Sequence, residues 1–137
     1  MDDVCTGVVP AISSIVRKLT TVGENILIQA PVYNIFYNSI LNNGRHVLSS
    51  DLIYDGHEYT IDFEDLEKKL ALPQTTMMIL CNPHNPIGKI WSQETLKRIG
   101  DLCARHHVWL SLMKYIVILL HLVGNIFLSR VSQRPIK

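Results

Sequence analysis

Short all-apolar runs alternate along this chain with stretches in which apolar residues recur every three or four positions, a rhythm that predicts strands between helices. In "GVVPAISSIVRKLTTVGE", Ile12, Ile15, Val16 and Leu19 fall on one side at helical spacing, Pro10 suits the first helical position, and Gly23 stops the run. "NILIQA" reads as a short buried strand ended by Pro31. "VYNIFYNSILNNG" then has a helical pattern through Ile35, Phe36, Ile40 and Leu41, with Gly44 as its stop. "RHVLSS" predicts a second strand, and "YDGHEYTID" holds an Asp-Gly turn. Asp62 caps "FEDLEKKLAL", where Phe63, Leu66 and Leu70 make one stripe before Pro73. "TTMMILC" is apolar after its threonines, as a parallel strand covered on both faces requires. Ser92 caps "QETLKRIGDLCARHH", with Leu96, Ile99, Leu102 and Cys103 inward, and "VWLSL" begins a further strand. Helices alternating with short buried strands predict an α/β domain with a mostly parallel sheet and flanking helices.

One stretch breaks the rhythm. "CNPHNPIG", residues 81 to 88, packs two prolines, two asparagines and a glycine behind the "TTMMIL" run, so neither strand nor helix can pass through it. It is a stiff loop at the carboxyl end of a predicted parallel strand, where open α/β sheets bind ligands. Its stiffness would pre-position Asn82, His84 or Asn85 at low entropic cost.

Composition narrows the classes of function. A chain of 137 residues is the size of one ordinary domain, and a formal charge of +1 gives no electrostatic reason for a nucleic-acid partner. With 47% hydrophobic and 18% charged residues the composition is that of a folding chain. Cys5, Cys81 and Cys103 are odd in number and far apart, with no CxxC pair and no leading signal segment, so core thiols in a reduced, cytoplasmic setting are expected. His106 and His107, at a helix C-terminus, are expected to meet its last carbonyls, since a metal site would need further ligands at suitable spacing. His84 reads as a solvated loop histidine, and "FEDLEKK" as an exposed helix face.

The loop also carries a resemblance. "NPHNPIGK" after a strand resembles the Asn-Pro-Thr-Gly signature of the class I and II aminotransferase fold, fold type I of the enzymes that use pyridoxal 5'-phosphate, with Ile87 where threonine is commonest. "TGVVPAI", "GENILIQAPVYNIFYNSI", "IDFEDLE" and "LCNPHNPIGKIWSQETLKRIGDLC" follow in the order and spacing of one subgroup, the MalY/PatB-type carbon-sulfur β-lyases, also described as cystathionine β-lyases. The similarity runs from residue 4 to about residue 110.

That resemblance implies roles at matching positions. Asn85 would hydrogen-bond the phenolic oxygen of the cofactor ring, a task suited to an amide donor at a fixed angle. Tyr33 resembles the aromatic that stacks on the pyridine ring, a contact worth about 0.5–1.5 kcal/mol beyond area burial. Gly7, Val8 and Val9 would offer backbone N–H groups to the cofactor phosphate at a helix start. Lys89 adjoins the signature, but the family does not use that position to carry the cofactor. The implied activity is conversion of cystathionine or a cysteine conjugate to thiol, pyruvate and ammonia; an ordinary aminotransferase, which shares the signature loop, is the nearest alternative.

No catalytic residue is expected in this chain. The lysine that carries the cofactor lies well downstream of the matched region in the family. The aspartate that pairs with the pyridinium nitrogen should lie on the strand beginning near Val108, in a stretch like Ser-Asp-Glu-Ile-His, where this chain reads "SLMKYIVILLHLVG". Codons TCT CTG ATG AAA TAC ATT GTG ATC would encode Ser111 to Ile118. Read from the third base, they give Ser-Asp-Glu-Ile-His-Cys-Asp, the family's strand with its aspartate restored. The expectation is a partial large domain over residues 1–110 and an out-of-frame apolar tail over 111–137. The rival reading of "VWLSLMKYIVILLHLVGNIFL" is a membrane segment, since about 20 apolar residues span a bilayer; His121 near its middle and Gly124-Asn125 count against it. Either way the tail is expected to be adhesive to membranes or to itself. Family members resemble one another as homodimers with active sites built from both subunits; lacking much of the interface-forming chain, this one is not expected to dimerise stably.

Overall fold

The computed structural model describes residues 7–113. Four helices, α1 (Val8–Leu19), α2 (Asn34–Leu41), α3 (Phe63–Leu70) and α4 (Gln93–Arg105), alternate with strands β1 (Asn25–Ile28), β2 (His46–Ser49), β5 (Thr75–Cys81) and β6 (Trp109–Met113). These four strands make an all-parallel sheet in the order β2-β1-β5-β6. Between β2 and α3 stands a small antiparallel hairpin, β3 (Ile53–Tyr54) and β4 (Tyr59–Thr60). Its turn is built by Asp55, whose Oδ1 accepts from the N–H groups of His57 and Glu58, and by Gly56 at φ 97°.

Strand alternation divides the core in two. Ile26, Ile28, Met77, Ile79 and Cys81 face one side and pack with Ile12 and Val16 of α1 and Phe36 and Ile40 of α2. Leu27, Met78 and Leu80 face the other and pack with Leu66 and Leu70 of α3 and Ile99, Leu102 and Cys103 of α4. The result is a three-layer α/β/α arrangement, the expected class. Cys81 and Cys103 are core thiols as anticipated, and burial pushes the Cys103 thiol up to about 12; Cys5 lies outside the described residues.

Local chemistry sets the helix starts. Asp62 accepts from the N–H groups of Glu64 and Asp65 at 3.0 Å each, and Ser92 Oγ accepts from Thr95 N–H at 3.1 Å. Pro10, expected at the first helical position, is the third residue of α1, a place equally free of hydrogen-bond demand because first-turn N–H groups have no intrahelical partner. Leu19 and Leu41, read as inward, are 40% and 56% exposed, while Val16 and Ile40 in the same last turns are buried: each leucine stands at the rim of its helix's apolar stripe. His106 and His107 meet the last carbonyls of α4, as expected, through their backbone N–H groups, which donate to Leu102 and Ala104 at 3.1 and 3.3 Å. His106 closes α4 with its backbone N–H while its ring lies 3.6 Å from Glu67 on α3, and His107 turns the chain at φ 58°. The face "FEDLEKK" is exposed at its Glu64–Lys68 pair, but Asp65 and Lys69 are only about a third exposed and reach Ser50 Oγ and the Ser49 carbonyl.

No described helix is long and apolar enough to cross a membrane. The expected out-of-frame tail, 111–137, begins within β6 and the rival membrane segment just ahead of it; Ser111, Leu112 and Met113 pair with Ile79, Leu80 and Cys81. The rest of both readings, residues 114–137, lies outside the described residues.

Candidate active site at the carboxyl edge of the sheet

Two chain paths diverge at the centre of the sheet. After β1 the chain leaves through α2 toward β2 on one face, and after β5 it leaves through α4 toward β6 on the other. The carboxyl ends of β1 and β5 are therefore a topological switch point, where no connection crosses between neighbouring strands and a crevice opens.

The loops that leave these two strands carry Tyr33 and Asn85, and they are tied to each other. Tyr33 N–H donates to the Asn85 carbonyl at 3.0 Å. Asn82 holds the second loop to the sheet, its N–H donating to the Met113 carbonyl at 3.0 Å and its Oδ1 accepting from Trp91 N–H at 3.0 Å. Across the loop's base, His84 N–H donates to the Lys89 carbonyl at 2.7 Å and Gly88 N–H to the His84 carbonyl at 2.6 Å. The Ala30-Pro31, Asn82-Pro83 and Asn85-Pro86 bonds are cis. Tyr33 is 37% exposed and Asn85 half-buried, so both side chains border the crevice rather than the core.

α1 reaches the same edge from below. Its last turn is pinned at the amino ends of the strands, where buried Arg45 donates from Nε to Thr20 Oγ1 at 2.9 Å and from Nη2 to the Thr20 carbonyl at 2.6 Å. At about 1.5 Å per residue its 12 residues outrun the four of β1, which brings Gly7, Val8 and Val9 to the carboxyl edge. This helix start differs from those of α3 and α4: it has no side-chain cap and no acidic residue in its first turn. Pro10 brings no N–H, so the open donors are those at the head of the helix, and among the described residues a Cβ at Gly7 would meet Pro10 Cδ alone, at 3.8 Å.

Such a donor set, with no carboxylate in its first turn among the described residues, fits a phosphate. A half-buried carboxamide and an aromatic ring on the facing loops fit a substituted pyridine. Among the described residues no three His, Cys, Asp or Glu side chains gather as a metal site would need.

His84 departs from its reading as a solvated residue. It is 1% exposed, its Nε2 lies 3.1 Å from the Gln29 carbonyl, and its ring stands edge-on to Trp91 with centroids 6.0 Å apart. Burial pushes its pKa below the ordinary 6.5, against an opposing pull from the Gln29 carbonyl. Gln29, 2% exposed, drew no notice in the sequence. The available signal was Trp91, a large apolar residue just past Gly88, which is 6% exposed and stands edge-on to the His84 ring. Lys89 is paired to Glu58 of the hairpin at 2.5 Å and points away from a cofactor-carrying role.

Comparison with known proteins places the chain in a family. Residues 4–112 match the aminotransferase class I and II family, and the chain belongs to it. Over 102 residues it is 49% identical to cystathionine beta-lyase PatB of Bacillus subtilis (strain 168), covering 74% of this chain and 26% of that protein. Protein MalY of Escherichia coli (strain K12) is 37% identical over 101 residues, with the same coverage. Among solved structures, the PLP-bound C-S lyase from Staphylococcus hominis superposes with a TM-score of 0.75 at 32% identity, over 77% of this chain and 27% of that one. The fold is thus part of a fold type I pyridoxal-phosphate transferase domain, and the chain spans about a quarter of the length of the relatives it matches.

Proposed function

We propose that this chain is part of the cofactor-binding domain of a cytoplasmic pyridoxal-phosphate-dependent carbon-sulfur β-lyase, a type that converts cystathionine or a cysteine conjugate, with water, to thiol, pyruvate and ammonia. The observation that carries the reading is the hydrogen-bonded pairing of the Tyr33 and Asn85 loops at the switch point, with the uncapped start of α1 on the same edge. The lyase subgroup rather than an aminotransferase is favoured by the 49% identity to PatB.

In this reading the head of α1 holds the phosphate through the N–H groups of Gly7, Val8 and Val9, aided by the helix dipole. Asn85 donates its carboxamide N–H to the ring's phenolic oxygen, and Tyr33 covers one ring face and excludes water from it. The cofactor, when bound, supplies an electron sink for the substrate's α-carbon. The residues named here bind and orient the cofactor; in this reading the chain by itself is inactive, binds the cofactor weakly and reversibly, and forms no stable homodimer. The apolar tail, residues 111–137, is read as an out-of-frame extension, for which the coding DNA is the test: codons that cannot give the second reading refute it.

The functional test is a titration of the chain with pyridoxal 5'-phosphate, followed at the Val8 and Val9 amides by NMR, alongside Tyr33→Ala and Asn85→Ala. Both substitutions should weaken binding while leaving the fold intact, and cystathionine should yield no pyruvate. Unaltered binding in Asn85→Ala, or pyruvate release by the pure chain, overturns the reading.

A further inference from the structure

The crevice is built by two loops that leave different strands, so its shape depends on what holds those loops together. Two bonds do so. Tyr33 N–H donates to the Asn85 carbonyl at 3.0 Å, and one residue earlier along the second loop His84 Nε2 meets the Gln29 carbonyl at 3.1 Å. The second bond fixes the tautomer. A carbonyl oxygen only accepts, so Nε2 carries the proton and Nδ1 is the bare nitrogen. Nδ1 is buried without a partner among the described residues, as is the carboxamide of Gln29.

An imidazole so enclosed, 1% exposed and backed edge-on by Trp91, has little freedom to leave its bond. Its main chain is fixed as well, between the Lys89 carbonyl and the Gly88 N–H. The ring is therefore a rigid strut from the middle of the β5–α4 loop to the last residue before the β1–α2 loop turns. Asn85 is its immediate neighbour, and among the described residues no group meets the Asn85 carboxamide to orient it.

We propose that His84 is a positioning residue of the candidate site: through its Nε2–H bond to the Gln29 carbonyl it clasps the two loops and so sets where Asn85 presents its carboxamide and where Tyr33 presents its ring. The clasp itself rests on the geometry alone; its consequence for ligand binding rests on the functional reading of Asn85 above.

The experiment compares His84→Leu, which fills the space without a donor, with His84→Gln, whose side-chain amide can donate to the same carbonyl. Backbone hydrogen exchange in the full chain is the first readout. Loss of one net hydrogen bond should speed exchange of the Tyr33 amide about fivefold in His84→Leu, with the Leu27 and Ile79 amides of the sheet unchanged and His84→Gln close to the parent. An unaltered Tyr33 amide, an equal rise across β1 and β5, or equal behaviour of the two variants overturns the clasp.

Titration with pyridoxal 5'-phosphate is the second readout, with Asn85→Ala in parallel. Binding weakened in His84→Leu and Asn85→Ala but retained in His84→Gln supports the positioning role. Weakening in Asn85→Ala alone overturns it. If Asn85→Ala has no effect on binding, the functional reading fails while the exchange data still decide the clasp.

Discussion

Replacing Gly7 with aspartate should make the protein more stable and its cofactor site worse, because the carboxylate suits the helix and opposes the phosphate. Gly7 has φ 169° and ψ 172°, extended backbone that any residue adopts, and a Cβ there makes only an ordinary contact with Pro10. An aspartate cap improves on glycine by a few tenths of a kcal/mol, and its charge at the helix start adds about 0.3–1 kcal/mol, so Gly7→Asp should gain about 0.5–1 kcal/mol. For a domain of this size that is a rise in Tm of about 2–4 °C. The same charge about 4 Å from a dianionic phosphate costs about 2 kcal/mol even at the dielectric constant of water, which weakens binding about thirtyfold. Gly7→Asn, a cap without charge, should keep most of the affinity. Thermal melts and titration with pyridoxal 5'-phosphate read the two effects separately. A stabilised Gly7→Asp chain with unchanged affinity would refute the placing of the phosphate at α1, and a loss in both readouts would mean that Gly7 serves a steric need the geometry does not reveal.

Burial lowers the His84 pKa below 6.5, so the unfolded chain binds the extra proton first as pH falls. Stability should be fully present above pH 6.5 and decline from there through the lower folded value, and His84→Gln should flatten that part of the curve; an unchanged slope would count against a buried neutral imidazole. Leu27→Ala should cost about 2–5 kcal/mol in denaturant unfolding, whereas Leu41→Ala, on a surface 56% exposed, should cost under about 0.5 kcal/mol. Asn82→Ala removes the acceptor of the Trp91 N–H and should cost about 1–3 kcal/mol. The Trp91 contribution to the fluorescence should shift to the red as the loop loosens, while Trp109, already 58% exposed, should not respond.

How far such features can be read from a sequence varies with how local their causes are. β5 spans Thr75–Cys81 as expected, because two β-branched threonines and the apolar run Met77–Cys81 are bounded by Pro73 and the Asn-Pro loop. The Asp62 and Ser92 caps were equally legible, each depending on residues two or three positions away. Leu19 and Leu41 differ because periodicity marks a stripe about one side of a helix and not how wide the covered part of that stripe is; Val16 and Ile40 in the same turns are buried. The β3–β4 hairpin showed only its Asp-Gly turn, since two-residue strands carry no period. His84 was misread for a related reason. Its partner is the carbonyl of the residue just past β1, brought there by strand order and register, and no pattern within the loop encodes that. Tyr33 and Asn85 were nominated by resemblance, and what the fold adds is the bond between their loops.

The central claim, a cofactor-domain piece without the chemistry of the complete enzyme, is tested most directly by mixing the purified chain with pyridoxal 5'-phosphate, dialysing, and recording the absorbance of cofactor joined to a protein amine, before and after adding cystathionine. The account predicts that no such band survives dialysis. A retained band that moves on adding cystathionine would mean that a lysine of this chain carries the cofactor, and would contradict the account.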